Sequence, residues 1–328
     1  MSRKVQAKHS ISVANQKLGG ARITKVQRKQ ICKQFVNWCF DRKHLFNSIG
    51  EASLEMVRDY MQYLKGEGIS IATQHNRLAS IRRAMNALGR DPDKLGITAK
   101  SVGLEPRNRS GTKEPVQDDF LEVAIAKAIE INEPGFAIAL RLQRLLGLRG
   151  LESLMSIPDL EKYALQAGEL LSESVGITKG TKGGRSRFSR VILKRANETL
   201  ITVREALVYM RTNGYLIEGG KVGLKSARAK YHRLSREVGL VGKFSPHSLR
   251  YAYAVEKIEE LRDAGFNRKE TLSAVAETLG HGTSRDRYVS MVYGKSVVHT
   301  VPVEKRKSRL ERAIKNMDQL IDVAANRN

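Results

Sequence analysis

The chain has 328 residues, 41% of them hydrophobic, enough for two ordinary domains with buried cores and too many for wholesale disorder. Its 58 Lys and Arg against 34 Asp and Glu give a formal net charge of +24, which points to a polyanionic partner, nucleic acid first. No apolar run approaches the roughly 18–20 residues that span a bilayer, and the charged N-terminus lacks the apolar stretch of a secretory signal, so the expectation is a cytoplasmic, nucleoid-associated protein with no membrane partner.

Residues 1–20 are polar and basic, end in Gly19-Gly20, and read as a basic N-terminal arm. Residues 1–43 hold eleven Lys and Arg against the single acid Asp41, a composition suited to tracking phosphates. Ile23, Val26, Ile31, Phe35 and Trp38 recur at helical spacing and predict a helix near 22–42. Cys32 and Cys39 lie seven apart on it, about 10 Å along the axis, too far for a disulfide. They read as small core residues. Leu54, Val57, Met61 and Leu64 predict a second helix near 52–65, stopped by Gly66-Glu67-Gly68. Leu78, Ile81, Met85 and Leu88 predict a third near 71–89, whose other face offers Arg77, Arg82 and Arg83 to DNA phosphates.

Residues 21–100 therefore read as a compact helical domain. Pro106, Asn108, Ser110, Gly111 and Pro115 make 101–117 a linker. The second domain, 118–328, opens with helices near 118–131 and 136–147. Residues 167–195 are punctuated by glycines and contain the apolar run Val191-Ile192-Leu193, which predicts a small sheet with a basic hairpin presenting Arg185 and Arg187 to DNA. Helices resume near 197–213, 223–238, 246–262, 268–279 and 284–293. A last one near 304–324 has Leu310, Ile314, Met317, Leu320 and Ile321 on one stripe. The expected class is mainly α with a small β-sheet (α+β).

Several short motifs carry phosphate chemistry. Arg149 sits in Gly147-Leu148-Arg149-Gly150-Leu151-Glu152, and Glu152, three residues on, is spaced to orient it on a shared helical face. His247 and Arg250 in Pro246-His247-Ser248-Leu249-Arg250 are likewise three apart and project to one side of a helix. A phosphodiester is anionic. Its cleavage needs neutralised equatorial oxygens, a positioned attacker and a proton for the leaving oxygen. Arginine suits the first task because its planar fork binds two oxygens and keeps its charge. The seven histidines show no metal-ligand spacing, so no metal and no cofactor are expected.

In order, Arg149, a lysine in Thr181-Lys182-Gly183-Gly184-Arg185-Ser186-Arg187, His247 and Arg250, His281 in Leu279-Gly280-His281-Gly282, and Tyr293 in Met291-Val292-Tyr293-Gly294 resemble the catalytic boxes of the tyrosine recombinases, the phage integrase family. The resemblance implies a two-domain architecture: a helical, SAM-like core-binding domain and a catalytic domain. It implies that the arginines bind the scissile phosphate, His247 assists proton movement and His281 hydrogen-bonds a phosphate oxygen. It also implies that a hairpin lysine protonates the leaving 5′ oxygen and that a tyrosine forms a 3′-phosphotyrosine link, without metal or ATP. Two departures leave alternatives open. Lys179 competes with Lys182, and Val191-Ile192-Leu193 stands where Val-Pro-Leu is common. The nucleophile of the family lies about nine residues after the histidine, where this chain has Ser290, so Tyr293 competes with Tyr288. Five residues apart, about 500° around a helix, the two tyrosines are not expected to face one point.

The implied function is site-specific recombination by an integrase of a phage or other mobile element. The implied partners are double-stranded DNA with specific recombination sites, a homo-tetramer in the synaptic complex (monomeric when free) and accessory DNA-bending proteins. The helix near 304–324 would dock on a neighbouring protomer. The alternatives are a type IB topoisomerase and a non-catalytic, integrase-derived DNA-binding protein.

Overall fold

The computed structural model describes residues 1–108, 110–166, 174–219, 223–295 and 297. The helix expected near 304–324 lies outside the described residues. The chain divides into two compact units, Met1–Arg109 and Ser110–Asn328.

The first unit is helical. It is built from α1 (Arg3–Leu18), α2 (Arg22–Asp41), α3 (Leu54–Gly66) and α4 (Ile71–Ala87). The expected basic arm is instead α1, a full structural helix. Ala7, Ile11 and Ala14 repeat at three- and four-residue intervals and are buried with Cys32, Phe35 and Ile81. The stripe is made of small residues among basic ones, which hides it from a reading tuned to large apolar side chains. Polar bonds also seat this helix: Ile49 N–H donates to Ser10 Oγ at 3.0 Å, and Asn15 accepts from Arg28 at 2.9 Å. Ser53 and Ser70 cap α3 and α4 by accepting from Met56 and Thr73 backbone N–H groups. Cys32 and Cys39 are free and buried, as expected.

The second unit runs α5 (Asp118–Glu130), α6 (Pro134–Leu146), α7 (Gly150–Met155), α8 (Ile157–Gln166), β1 (Ser174–Ile177), β2 (Arg187–Arg190), α9 (Ala196–Asn213), α10 (Leu224–Glu237), α11 (His247–Asp263), α12 (Arg268–Thr278) and α13 (Asp286–Val292). Helix α6 is its axis, with Phe136 through Leu146 buried almost without interruption. The sheet seen among the described residues is one antiparallel pair, with Ser174 opposite Arg190 and Ile177 opposite Arg187. The second strand starts four residues before the expected Val191-Ile192-Leu193, and Leu193 already begins a 3-10 turn. Its inward residues are Arg187 and Ser189, so no apolar alternation marked it.

The expected linker is only partly one. Its second half is bound along the second unit. Gly111 N–H donates to Met291 O at 3.3 Å, Glu114 N–H to Lys243 O at 3.2 Å, Lys113 Nζ to Gly242 O at 2.6 Å, and Val116 enters the core.

Candidate active site

The site is assembled on a backbone turn. Helix α6 ends at Gly147, whose φ of +55° is left-handed and whose Cβ, if it had one, would lie 2.4 Å from the Tyr253 ring. The chain then reverses and delivers Arg149 to the first turn of α7. Arg149 N–H donates to Glu152 Oε2 at 2.8 Å, Nη1 pairs with Glu152 Oε1, and Nη2 donates to Leu279 O at 3.2 Å. Glu152 thus caps the helix that Arg149 precedes, rather than sharing a helical face with it.

Glu152 is fully buried and serves three arginines. Besides Arg149, Arg187 Nη2 donates to its Oε2 at 2.8 Å, and Arg250 Nη1 lies 3.9 Å from the same oxygen. Burial alone would raise its pKa. The opposing charge of Arg187 and its hydrogen bond, then Arg250 and Arg149, outweigh that and hold it at about 2.

Arg187 is the clearest correction. It was expected on a DNA-facing hairpin, yet it is buried beside Glu152 and also donates to Thr278 O and, at 3.3 Å, to Gly147 O. The strand's period of two turns Arg187 inward and leaves Phe188 69% exposed. Arg187 therefore ties the Gly147–Glu152 turn that carries Arg149 to the end of α12 that precedes His281. Arg185 remains exposed on the hairpin, as expected.

Arg250 comes from the first turns of α11 and has no exposed surface. Its two Nη atoms donate to Gly147 O and Leu279 O, while its Nε is buried without a hydrogen bond. One turn earlier, His247 is an exposed residue at the start of α11. Partial withdrawal of its ring from water, with Arg250, Arg149 and Lys113 nearby, pushes its pKa down to about 4. His281 follows α12, and partial burial with Arg250, Arg149, Lys182 and His247 lowers it to about 3. Both imidazoles are therefore neutral at pH 7.

Tyr293 is 2% exposed, and its hydroxyl lies 3.3 Å from His281 Nε2. Its ring packs 4.5 Å from Tyr251 and 6.3 Å from His247. Tyr288 is 38% exposed, with its ring 4.8 Å from His281 and 6.2 Å from Tyr293. The two tyrosines thus converge on one histidine, against expectation. Tyr293 is the C-cap of α13, its N–H still bonded to Val289 O at 2.9 Å, and its ring centroid lies 5.9 Å from that of His281.

Both candidate lysines are exposed on the β1–β2 connection. Lys182 is midway between the paired Ile177 and Arg187, and its charge reaches His281. Lys179 sits at the root of the loop, where its backbone N–H is held by Asp159 at 3.2 Å.

The first unit has its own polar groove, about 660 Å³, between α2 and α4. Arg77 and Arg83 line it, together with Arg28, Gln27, Gln30 and Gln34. Arg83 is exposed, and Arg77 is steered by donating to the Tyr60 hydroxyl at 2.8 Å. Arg82 is not in the groove lining. It pairs with Asp93 at 2.6 Å. Sequence reasoning missed the glutamines of α2, Lys113, Tyr251 and Asp159. No short motif marks them, because each gains its place through a contact distant in sequence. Among the described residues no group of His, Cys, Asp or Glu is placed to hold a metal ion, and no helix is long and apolar enough to cross a membrane.

The Integrase family model matches residues 103–256, which include Arg149, Glu152, Lys182, His247 and Arg250. No curated protein matches the sequence. Among solved structures, the Tn1549 transposon integrase in complex with transposon right end DNA is similar at 14% identity and TM-score 0.55, over 98% of this chain and 100% of that one. The XerH site-specific recombinase bound to a palindromic difH substrate is similar at 20% identity and TM-score 0.52, over 90% of this chain and 80% of that one. A lambda integrase tetramer bound to a Holliday junction is similar at 14% identity and TM-score 0.52, over 85% and 76%. At these identities the structures speak for a shared fold.

Proposed function

We propose that this chain, whose residues 103–256 match the Integrase family model and whose fold is shared with an integrase and a site-specific recombinase, breaks and rejoins DNA at specific sites through a 3′-phosphotyrosine link. The observation that carries the reading is the convergence of Arg149 and Arg250 on Leu279 O and of His247 and His281 on Tyr293, with the Tyr293 hydroxyl 3.3 Å from a histidine nitrogen. In the proposed step the tyrosine oxygen bonds to phosphorus while the bond from phosphorus to the 5′ oxygen breaks. The phenolic proton passes to His281, whose basicity rises once the phosphate anion offsets the cationic charges that lower it, and an ammonium proton of Lys182 passes to the leaving oxygen. Arg149 and Arg250 bind the equatorial oxygens, and the bare Nε of Arg250 is a donor such an oxygen would satisfy. The reverse attack by a 5′-hydroxyl on the phosphotyrosine rejoins the strand and conserves the bond energy, so neither metal nor ATP is required.

The groove between α2 and α4 is suited to DNA, with Arg77 and Arg83 on phosphates and glutamines available to base edges. A tetramer on two duplexes is proposed for synapsis, as in the lambda integrase complex. Accessory DNA-bending proteins and a place in the cytoplasm belong to the same proposal.

Trapping on nicked duplex DNA tests it. A denaturation-resistant adduct is expected, lost in Tyr293→Phe and retained in Tyr288→Phe, and sequencing the captured DNA would give the target site. Tyr288 has its own claim, being the more exposed ring beside His281. A phosphotyrosine peptide containing Tyr288 would move the nucleophile there. Absence of any adduct with bound, cleavable DNA would leave a non-catalytic DNA-binding protein.

A further inference from the structure

We infer that Asp159, a buried aspartate on α8, is a positioning residue for the general-acid lysine: it clamps the root of the loop that carries Lys182. The inference rests on the cleavage chemistry proposed above.

Asp159 is 8% exposed and has no cationic partner among the described contacts. Among the described residues its side-chain bonds all go to the hairpin. Oδ2 accepts from Thr178 N–H at 2.8 Å and from Lys179 N–H at 3.2 Å, and Oδ1 accepts from the Thr178 hydroxyl at 2.7 Å. A carboxylate taken from water is costly unless its lone pairs are filled, and here successive groups at the end of β1 fill them. Charge-assisted bonds to two consecutive backbone N–H groups fix the direction in which the chain leaves the strand.

The next residue confirms a rigid exit. Gly180 has φ +71°, and a Cβ there would meet Leu151 O at 2.7 Å and Glu152 Cα at 3.0 Å. The loop therefore rests on α7, the helix that begins beside Arg149. At its other end the loop enters β2 through Arg187, bonded to Glu152 at 2.8 Å. Lys182 stands between these anchors, two residues beyond Gly180, exposed and followed by Gly183 and Gly184, where a Cβ would meet nothing within 4 Å. An exposed, glycine-rich apex on fixed roots lets a long side chain reach a leaving oxygen while limiting where it searches. Without Asp159 the N-terminal root is released, and the lysine, not the phosphate clamp, loses its aim.

The role predicts a selective defect. An alkoxide leaving group needs a proton. A thiolate does not, because thiols ionise near pH 8.5 whereas water's pKa is 15.7. The substrate is the duplex recovered by adduct sequencing, made with oxygen or with sulfur at the bridging 5′ position of the scissile phosphate. With oxygen, Asp159→Asn should slow adduct formation about 10- to 100-fold, and Lys182→Ala by roughly 10²–10⁴-fold. With sulfur, both should come within about threefold of the unaltered protein, since the missing proton no longer matters. Thr178→Val removes only the hydroxyl arm and should show a smaller loss with the same sulfur rescue. It keeps the test sound if Asp159→Asn fails to fold. An equal slowing on both substrates would mean a general structural role, and an unslowed Asp159→Asn would mean no role; either overturns the inference. Failure of sulfur to rescue Lys182→Ala would overturn it as well. Absence of adduct from the unaltered protein on both substrates would instead sink the cleavage chemistry itself.

Discussion

Glu152→Gln probes the centre of the site without changing its volume. The carboxylate accepts from Arg149 N–H at 2.8 Å, Arg149 Nη1 and Arg187 Nη2 at 2.8 Å, with Arg250 Nη1 at 3.9 Å. Glutamine keeps one acceptor, turns a donor toward the guanidinium groups, and leaves Arg187 and Arg250 buried without a counter-charge. Removing one partner of a buried ion pair costs about 3–5 kcal/mol. Linkage gives a similar size. The carboxyl is held at about 2 against an ordinary 4.5, and a gap of about 2.5 pH units at roughly 1.36 kcal/mol each comes to about 3 kcal/mol. For a domain of roughly 150–250 residues, where each kcal/mol moves Tm by about 2–4 °C, the loss is about 6–20 °C. Calorimetry on both proteins at pH 7 measures it. The sign of the pH dependence is a second check. A carboxylate depressed in the folded state contributes its stability above the unfolded value of 4.5 and loses it as pH falls through about 2. The gap between the proteins should therefore shrink between pH 4.5 and 2, and be less than half as large at pH 3 as at pH 7. A Tm within about 2 °C at pH 7, or an undiminished gap at pH 3, would refute the arginine hub.

Three further outcomes are expected. A Cβ at Gly111 would lie 2.2 Å from Val292 O and 2.9 Å from the Tyr251 hydroxyl, so Gly111→Ala should displace the segment before Tyr293. Adduct formation should fall at least about 10-fold with DNA binding unchanged by gel retardation, and an unaltered rate would release the 110–114 segment from any part in placing the tyrosine. Arg83→Ala should lower the slope of log affinity against log salt by about 0.9 if the exposed guanidinium meets one phosphate; the same slope in both proteins would remove Arg83 from the interface. Ile11→Ala should destabilise the first unit by about 2–5 kcal/mol in urea titration, since Ile11 is 1% exposed, whereas a free arm would register no loss.

The sequence by itself determined the class and most of the helices. Large apolar residues at helical spacing located α2, α4, α6 and α9 within a few residues, because burial of such a face is a local pattern. It also determined the residue types of the site, since phosphate chemistry requires arginine forks, imidazoles and a hydroxyl in recognisable short boxes. Tertiary structure decided what depends on partners distant in the chain. Helix α1 is held by Ala7, Ile11 and Ala14 against α2 and α4, a stripe too small to stand out among lysines. Arg187 reads like Arg185, two residues earlier, yet one is buried on Glu152 and the other exposed; strand phase and a carboxylate 35 residues away separate them. Tyr288 and Tyr293 both reach His281, with ring centroids 4.8 and 5.9 Å from it, because the fold places that histidine between two side chains five residues apart. Asp159 had no local signal at all: its meaning lies in three hydrogen bonds to Thr178 and Lys179 across the fold. Periodicity is short-ranged, so it locates elements; the pairing of buried charges is long-ranged, and the folded chain alone specifies which arginine meets which acid.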